Sequence, residues 1–136
     1  MEGRFGNATN VPVTALAPSN QAAFVSQTVP TTMYARDSNY VSITMKNVGT
    51  TIWQAGTTYK LGSQNPQDNT IWGTRRMALP YSVPPGSQVT FEFFVTAPPN
   101  SGSYNFQWQM VQEGVEWFGD YTPNVVIRVK PACSTC

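Results

Sequence analysis

Two runs in this chain alternate apolar residues with mostly polar ones, and no window carries a helical period. In the first, Val89, Phe91, Phe93 and Val95 alternate with Thr90, Glu92, Phe94 and Thr96. In the second, Tyr104, Phe106, Trp108 and Met110 alternate with Asn105, Gln107, Gln109 and Val111. A period of two puts one set on each face of a pleated strand. A helix would mix the sets around its circumference, so these segments must be half-buried strands. Val41, Ile43 and Met45 repeat the pattern against Ser42, Thr44 and Lys46.

The punctuation agrees. Asn47-Val48-Gly49, Pro84-Pro85-Gly86, Pro98-Pro99-Asn100-Ser101-Gly102 and Glu113-Gly114 bound these runs. Proline fixes φ and glycine admits positive φ, so each is a turn with a stated cause. Further strands are expected at Phe24–Val29, at Ile52–Leu61 with a break at Gly56, and at Met77–Leu79. Two more are expected after Glu113-Gly114, at Val115–Phe118 and at Asn124–Val129. The expected fold is all-β, an immunoglobulin-like antiparallel β-sandwich of about seven strands. A chain of 136 residues fits one such domain. Its expected bounds are 21–130, after an extended tail or linker at 1–20 broken by Pro12 and Pro18, with a short tail at 131–136.

Composition narrows the function. The net charge is +1 with no basic run, so nucleic-acid binding has no electrostatic footprint. No apolar stretch reaches membrane-span length, and no membrane insertion is expected. Residues 1–10 lack the apolar centre of a signal peptide. Charged residues are only 11%, with Ser, Thr, Asn and Gln in their place, which points to an extracellular or cell-surface setting. The sequon Asn7-Ala8-Thr9 suits such a compartment, or is a chance match. Cys133 and Cys136 follow Pro131 in the C-terminal tail and are candidates for a local disulfide.

Catalytic chemistry is thinly provided for. With no histidine, nucleophilic triads lack their base. Of seven carboxylates only Glu113, Glu116 and Asp120 cluster, near one hairpin where acids are usually solvated. The loop Gln64-Asn65-Pro66-Gln67-Asp68-Asn69 offers calcium one carboxylate. A turn held by side-chain-to-backbone hydrogen bonds explains the same composition. No enzyme activity, metal or cofactor is expected.

Four tryptophans fall between positions 53 and 117. Trp108 shares a face with Phe106 and Met110 and reads as core. Trp53, Trp72 and Trp117 lie at turn or loop ends. They either pack over the sandwich edge or leave one or two indoles as an exposed shelf that anchors a peptide or stacks on a sugar. Arg75-Arg76 are solvated, or one guanidinium stacks on an indole. Phe94 faces outward by parity and, with Val111, could join an apolar contact patch.

The phrases carrying these indoles resemble a known family. They are Met45-Lys46-Asn47 through Gly49-Thr50-Thr51 to Trp53; Leu61-Gly62-Ser63 to Trp72-Gly73; Pro85-Gly86; Thr96-Ala97-Pro98; and Tyr104 to Gly119. In this order, over residues 22–130, they resemble the four-tryptophan domain. That immunoglobulin-like domain is known from selective-autophagy cargo receptors and from bacterial secreted and surface proteins. The phrasing is closer to the bacterial members, and the receptors' ubiquitin-binding segment has no counterpart here. The resemblance implies a β-sandwich that mediates protein contacts; its ligand does not transfer.

The expectation is therefore a non-catalytic module that binds a protein partner or copies of itself. Its contact residues are expected among Trp53, Trp72, Arg76, Gln112, Glu113, Glu116, Trp117 and Phe118. Extended, residues 9–17 place Val11, Val13, Ala15 and Ala17 on one side. With Leu16 they form a candidate assembly tail that docks on an edge strand of a neighbouring subunit; a plain interdomain linker is the alternative. A second reading is a carbohydrate-binding module of a secreted hydrolase, with a glycan on a coplanar pair of exposed indoles.

Overall fold

The alternating runs pair as their faces require. The computed structural model describes residues 18–132. Val11, Val13 and Leu16 of the expected tail, and Cys133 and Cys136, lie outside the described residues. Nine strands follow in order: β1 Ala22–Thr28, β2 Thr32–Tyr34, β3 Ser38–Asn47, β4 Tyr59–Gln64, β5 Arg76–Ala78, β6 Gln88–Thr96, β7 Gly102–Gln112, β8 Glu116–Phe118 and β9 Val125–Lys130. Three of the nine, β2, β5 and β8, are only three residues long, and β2 has no counterpart among the expected strands.

One sheet has the order β1-β3-β6. The other runs β2-β9-β7-β4-β5, with β8 also on β7. β8 and β9 share one side of β7: Phe118 pairs with Met110, and Val125 with Phe106. They act as two halves of one broken strand. All pairings are antiparallel except β2 with β9, which runs parallel.

The inward faces meet in an aromatic core. Val41, Ile43, Met45, Phe91 and Phe93 face Leu61, Phe106, Trp108, Met110 and Ile127. Trp72, Phe106, Trp108 and Phe93 form a chain of edge-to-face contacts at centroid separations of 5.8, 5.9 and 5.4 Å. The last contact joins the sheets. Burying one such side chain is worth about 5 kcal/mol of apolar transfer. The indole N–H groups of Trp53 and Trp108 are buried without a partner. That costs about 1–3 kcal/mol each, which the apolar burial offsets.

Two turns set the strand ends. Ser87 N donates to Pro84 O at 3.0 Å with Gly86 at φ 89°, the geometry of a turn carrying proline then glycine at its centre. Asn47, fully buried at the end of β3, is the hub of that end. Its Nδ2 donates to Thr51 O at 2.8 Å and Val83 O at 2.9 Å, and its Oδ1 accepts from Gly49 N at 3.1 Å.

The 119–124 segment, between the two half-strands, closes the sandwich edge. Thr122 exchanges bonds with the Trp108 backbone, its N–H donating to Trp108 O at 2.8 Å and its Oγ1 accepting from Trp108 N at 2.9 Å. Asp120 N then reaches Ala22 O on β1 at 2.8 Å. A Cβ on Gly119, at φ 78°, would sit 2.5 Å from that of Ala22, so only glycine allows this approach.

Asn47→Ala is expected to cost about 3 kcal/mol in chemical denaturation, because three hydrogen bonds of one buried amide are lost together. A loss within about 0.5 kcal/mol, typical of a surface site, would show that Asn47 is not the hub of this end.

Candidate functional site

Parity sorts the expected contact residues between the two faces. Successive strand residues point to opposite sides. On β8, Phe118 therefore turns inward, against Trp53 at 5.8 Å and Tyr59 at 6.2 Å, while Trp117 turns outward. Trp53 and Trp72 are 0% and 1% exposed. Trp53 bridges backbone-to-backbone with Val83, and Trp72 Nε1 donates to Asn105 O at 3.0 Å. The expectation that Trp53, Trp72 and Phe118 offer a contact shelf is corrected: each completes the core. The coplanar pair of exposed indoles that a sugar platform needs does not form among the described residues.

Trp117 remains, half-buried on the outer face. It is paired with Val111, and its ring reaches across β7 to Gly62 on β4. A Cβ on Gly62 would lie 2.5 Å from the ring, so the strand glycine makes the space. Val111 and Gln109 lie under this crossing and are 3% and 6% exposed despite their outward parity.

Arg76, the cross-strand neighbour of Gly62, closes the arrangement. Its guanidinium carbon stands 4.8 Å from the Trp117 ring centroid, a cation–π contact. Arg76 Nε meets Glu113 Oε2 at 2.7 Å, and its Nη1 meets Asp68 Oδ1 at 2.6 Å. Partial burial disfavours the guanidinium charge, but hydrogen bonds to Glu113 and Asp68 outweigh it and hold the pKa above its ordinary value. The guanidinium is thus fixed in place and permanently charged.

Asp68 reaches Arg76 from a loop that its own side chains hold shut. Asn69 Nδ2 donates to Gln64 O at 3.0 Å and Pro66 O at 2.8 Å, and its Oδ1 accepts from Ile71 N at 3.1 Å. The loop's one carboxylate is engaged with Arg76. Among the described residues no group of three histidine, cysteine or acidic side chains converges on a metal site.

Gln112 and Glu116, the cross-strand pair that closes the turn, have the parity of Phe118 and face away from Trp117. Asn20, placed by the sequence reading in the linker, packs on the domain and donates to Gln112 Oε1 at 2.7 Å and Glu116 Oε2 at 2.8 Å. Its Oδ1 accepts from Thr51 and, at 2.9 Å, from Tyr59 Oη. These residues line a cleft of 320 Å³ with Pro18 and Val115. The third hairpin acid, Asp120, accepts from Phe24 N at 3.1 Å. Glu113, Glu116 and Asp120 therefore each hold a different structural partner and do not face one another across a gap.

Arg76, Glu113 and Trp117 thus come together as one cluster on the outer face, while Gln112 and Glu116 turn to the opposite side of the same hairpin. Gly62 and Asp68 belong to this cluster and Asn20 to the cleft; from sequence Asp68 was weighed only as a calcium ligand, and Asn20 and Gly62 were not singled out as contact residues. The strand-interior Gly62 was the available signal.

A two-sheet, all-β sandwich with this strand order defines an immunoglobulin-like domain. Residues 30–130 match the family model for the Ig-like domain from next to BRCA1 gene, and the chain belongs to that family. Ig-like domains of this family are typically non-catalytic, and the match suggests a protein-interaction module. No curated protein matches the sequence. Among solved structures, the native conformation of E. coli alpha-2-macroglobulin is similar over 81% of this chain, at 14% identity and a TM-score of 0.46. The match spans 7% of that chain.

Gly62→Ala is expected to lift the Trp117 ring off β4. The expected cost is about 1–3 kcal/mol from overpacking, with a shift of the Trp117 indole resonance. Unchanged stability with an unchanged resonance would show that the ring does not lie on Gly62.

Proposed function

We propose that this domain is a protein-contact module of the four-tryptophan type, in an extracellular or cell-surface protein. Its partner meets the outer face around Trp117. The observation that carries the reading is the clamped pair itself. Arg76 is held over Trp117 by two carboxylates, so both side chains have lost their rotamer freedom before any partner arrives. Preordered tryptophan and arginine are favoured anchors because little entropy remains to be lost on binding. The extracellular assignment is supported by the low-charge, Thr- and Asn-rich composition alone.

A photo-crosslinking residue in place of exposed Val115 is expected to capture a discrete protein from extracts of the source cells. Trp117→Ala and Arg76→Lys are each expected to lower that capture roughly tenfold, the loss of one hot-spot contact. Equal capture from a crosslinker at Val25, exposed on β1 of the other sheet, with no sensitivity to either substitution, would overturn the assignment of this face.

A further inference from the structure

Strand edges expose backbone donors and acceptors that invite pairing. The edges of this sandwich are guarded unequally. β1 is irregular between Phe24 and Ser26, and Asp120 binds its backbone at Ala22 and Phe24. β2 and β5 are three residues long. β6 is nine residues long and carries neither proline, glycine nor a register shift.

The free groups of β6 can be assigned. Backbone groups of alternate residues point to opposite sides of a strand. Ser87 O accepts from Asn47 N and Ala97 N donates to Asp37 O, both on the β3 side. Thr96 N turns the other way, to Trp72 O. Gln88, Thr90, Glu92 and Phe94 share the parity of Thr96 and present their N–H and C=O groups to the open edge. Among the described residues no backbone hydrogen bond reaches them.

The side chains beside this edge are nearly uncharged. Glu92 is the one charge on β6, and its carboxylate accepts from Tyr40 Oη at 2.9 Å. Phe94 is 67% exposed and touches Tyr40 edge-on at 5.9 Å.

We propose that β6 pairs antiparallel with β6 of a second copy of this chain, about a two-fold axis at Phe91. The two three-stranded sheets then become one continuous sheet. The occupant follows from the register. With the axis at Phe91, Gln88 lies opposite Phe94 of the second copy, and Thr90 lies opposite Glu92. All four free residues of each strand are used. An axis at Glu92 would oppose two carboxylates, and an axis at Phe93 or Phe94 would need Thr96, which Trp72 already holds. An axis at Thr90 would need Gly86, whose N–H is bonded to Asn47. Four pairs, each exchanging two bonds, give about eight hydrogen bonds across the junction. This face is separate from the Trp117 cluster and does not depend on the function proposed for it.

The test is amide exchange by NMR on the full chain under reducing conditions, with its mass followed from dilute to concentrated solution. Doubling of the mass on concentration is expected. With it, the amides of Gln88, Thr90, Glu92 and Phe94 should pass from fast to slow exchange, while those of Val89, Phe91, Phe93 and Val95 stay slow throughout. Phe94→Lys and Thr90→Pro are expected to raise the concentration needed for doubling at least tenfold. A monomer at every concentration overturns the proposal. So do outward amides already slow in the dilute monomer, which would place a segment of the same chain on β6. Association unaffected by either substitution also overturns it.

Discussion

The contact between Phe93 on β6 and Trp108 on β7 is the interaction on which the rest of the molecule depends. It is where the core aromatic chain crosses from one sheet to the other. The same tryptophan, through its backbone, holds Thr122, and the 119–124 segment carries that grip on to Ala22 of β1. Trp108 therefore fixes both the spacing of the sheets and the closure of one edge. With that edge closed, β8 is set at a fixed height on β7, and Trp117 is aimed across the outer face.

The outer cluster follows from this placement and from three local conditions. A glycine at 62 leaves room for the ring. A short β5 delivers Arg76 beside it. The self-bonded loop at 63–71 and the turn after Gln112 bring Asp68 and Glu113 to the guanidinium. The exposed part of such an ion pair contributes little to stability, since solvent screens it. The arrangement fits orientation better than stabilisation: it holds a planar cation and an indole in one geometry. That is the property a contact surface needs.

The strands were legible because alternation is a local signal. Val89–Val95 and Tyr104–Val111 identify their inward faces without knowledge of any partner. Pro85-Gly86 announces its own turn, and Phe94 faces outward as parity requires. The sorting of the indoles was not legible. Trp53 and Trp72 sit outside the alternating runs, and their burial depends on Val83, Asn105 and Phe106. Assigning both Trp117 and Phe118 to one surface conflicted with the pleat itself once β8 is a strand. Asn20 looked like linker because its four partners come from distant parts of the chain. The Arg76 cluster draws on three separate segments, and only long-range pairing brings them together.

The account rests on one division: three indoles in the core and one within reach of solvent. Quenching of tryptophan fluorescence by iodide tests it directly. The account predicts that a single quenchable component accompanies a dominant protected one, and that Trp117→Phe removes the quenchable component. Quenching that persists in Trp117→Phe would place another indole at the surface and contradict both the core and the site described above.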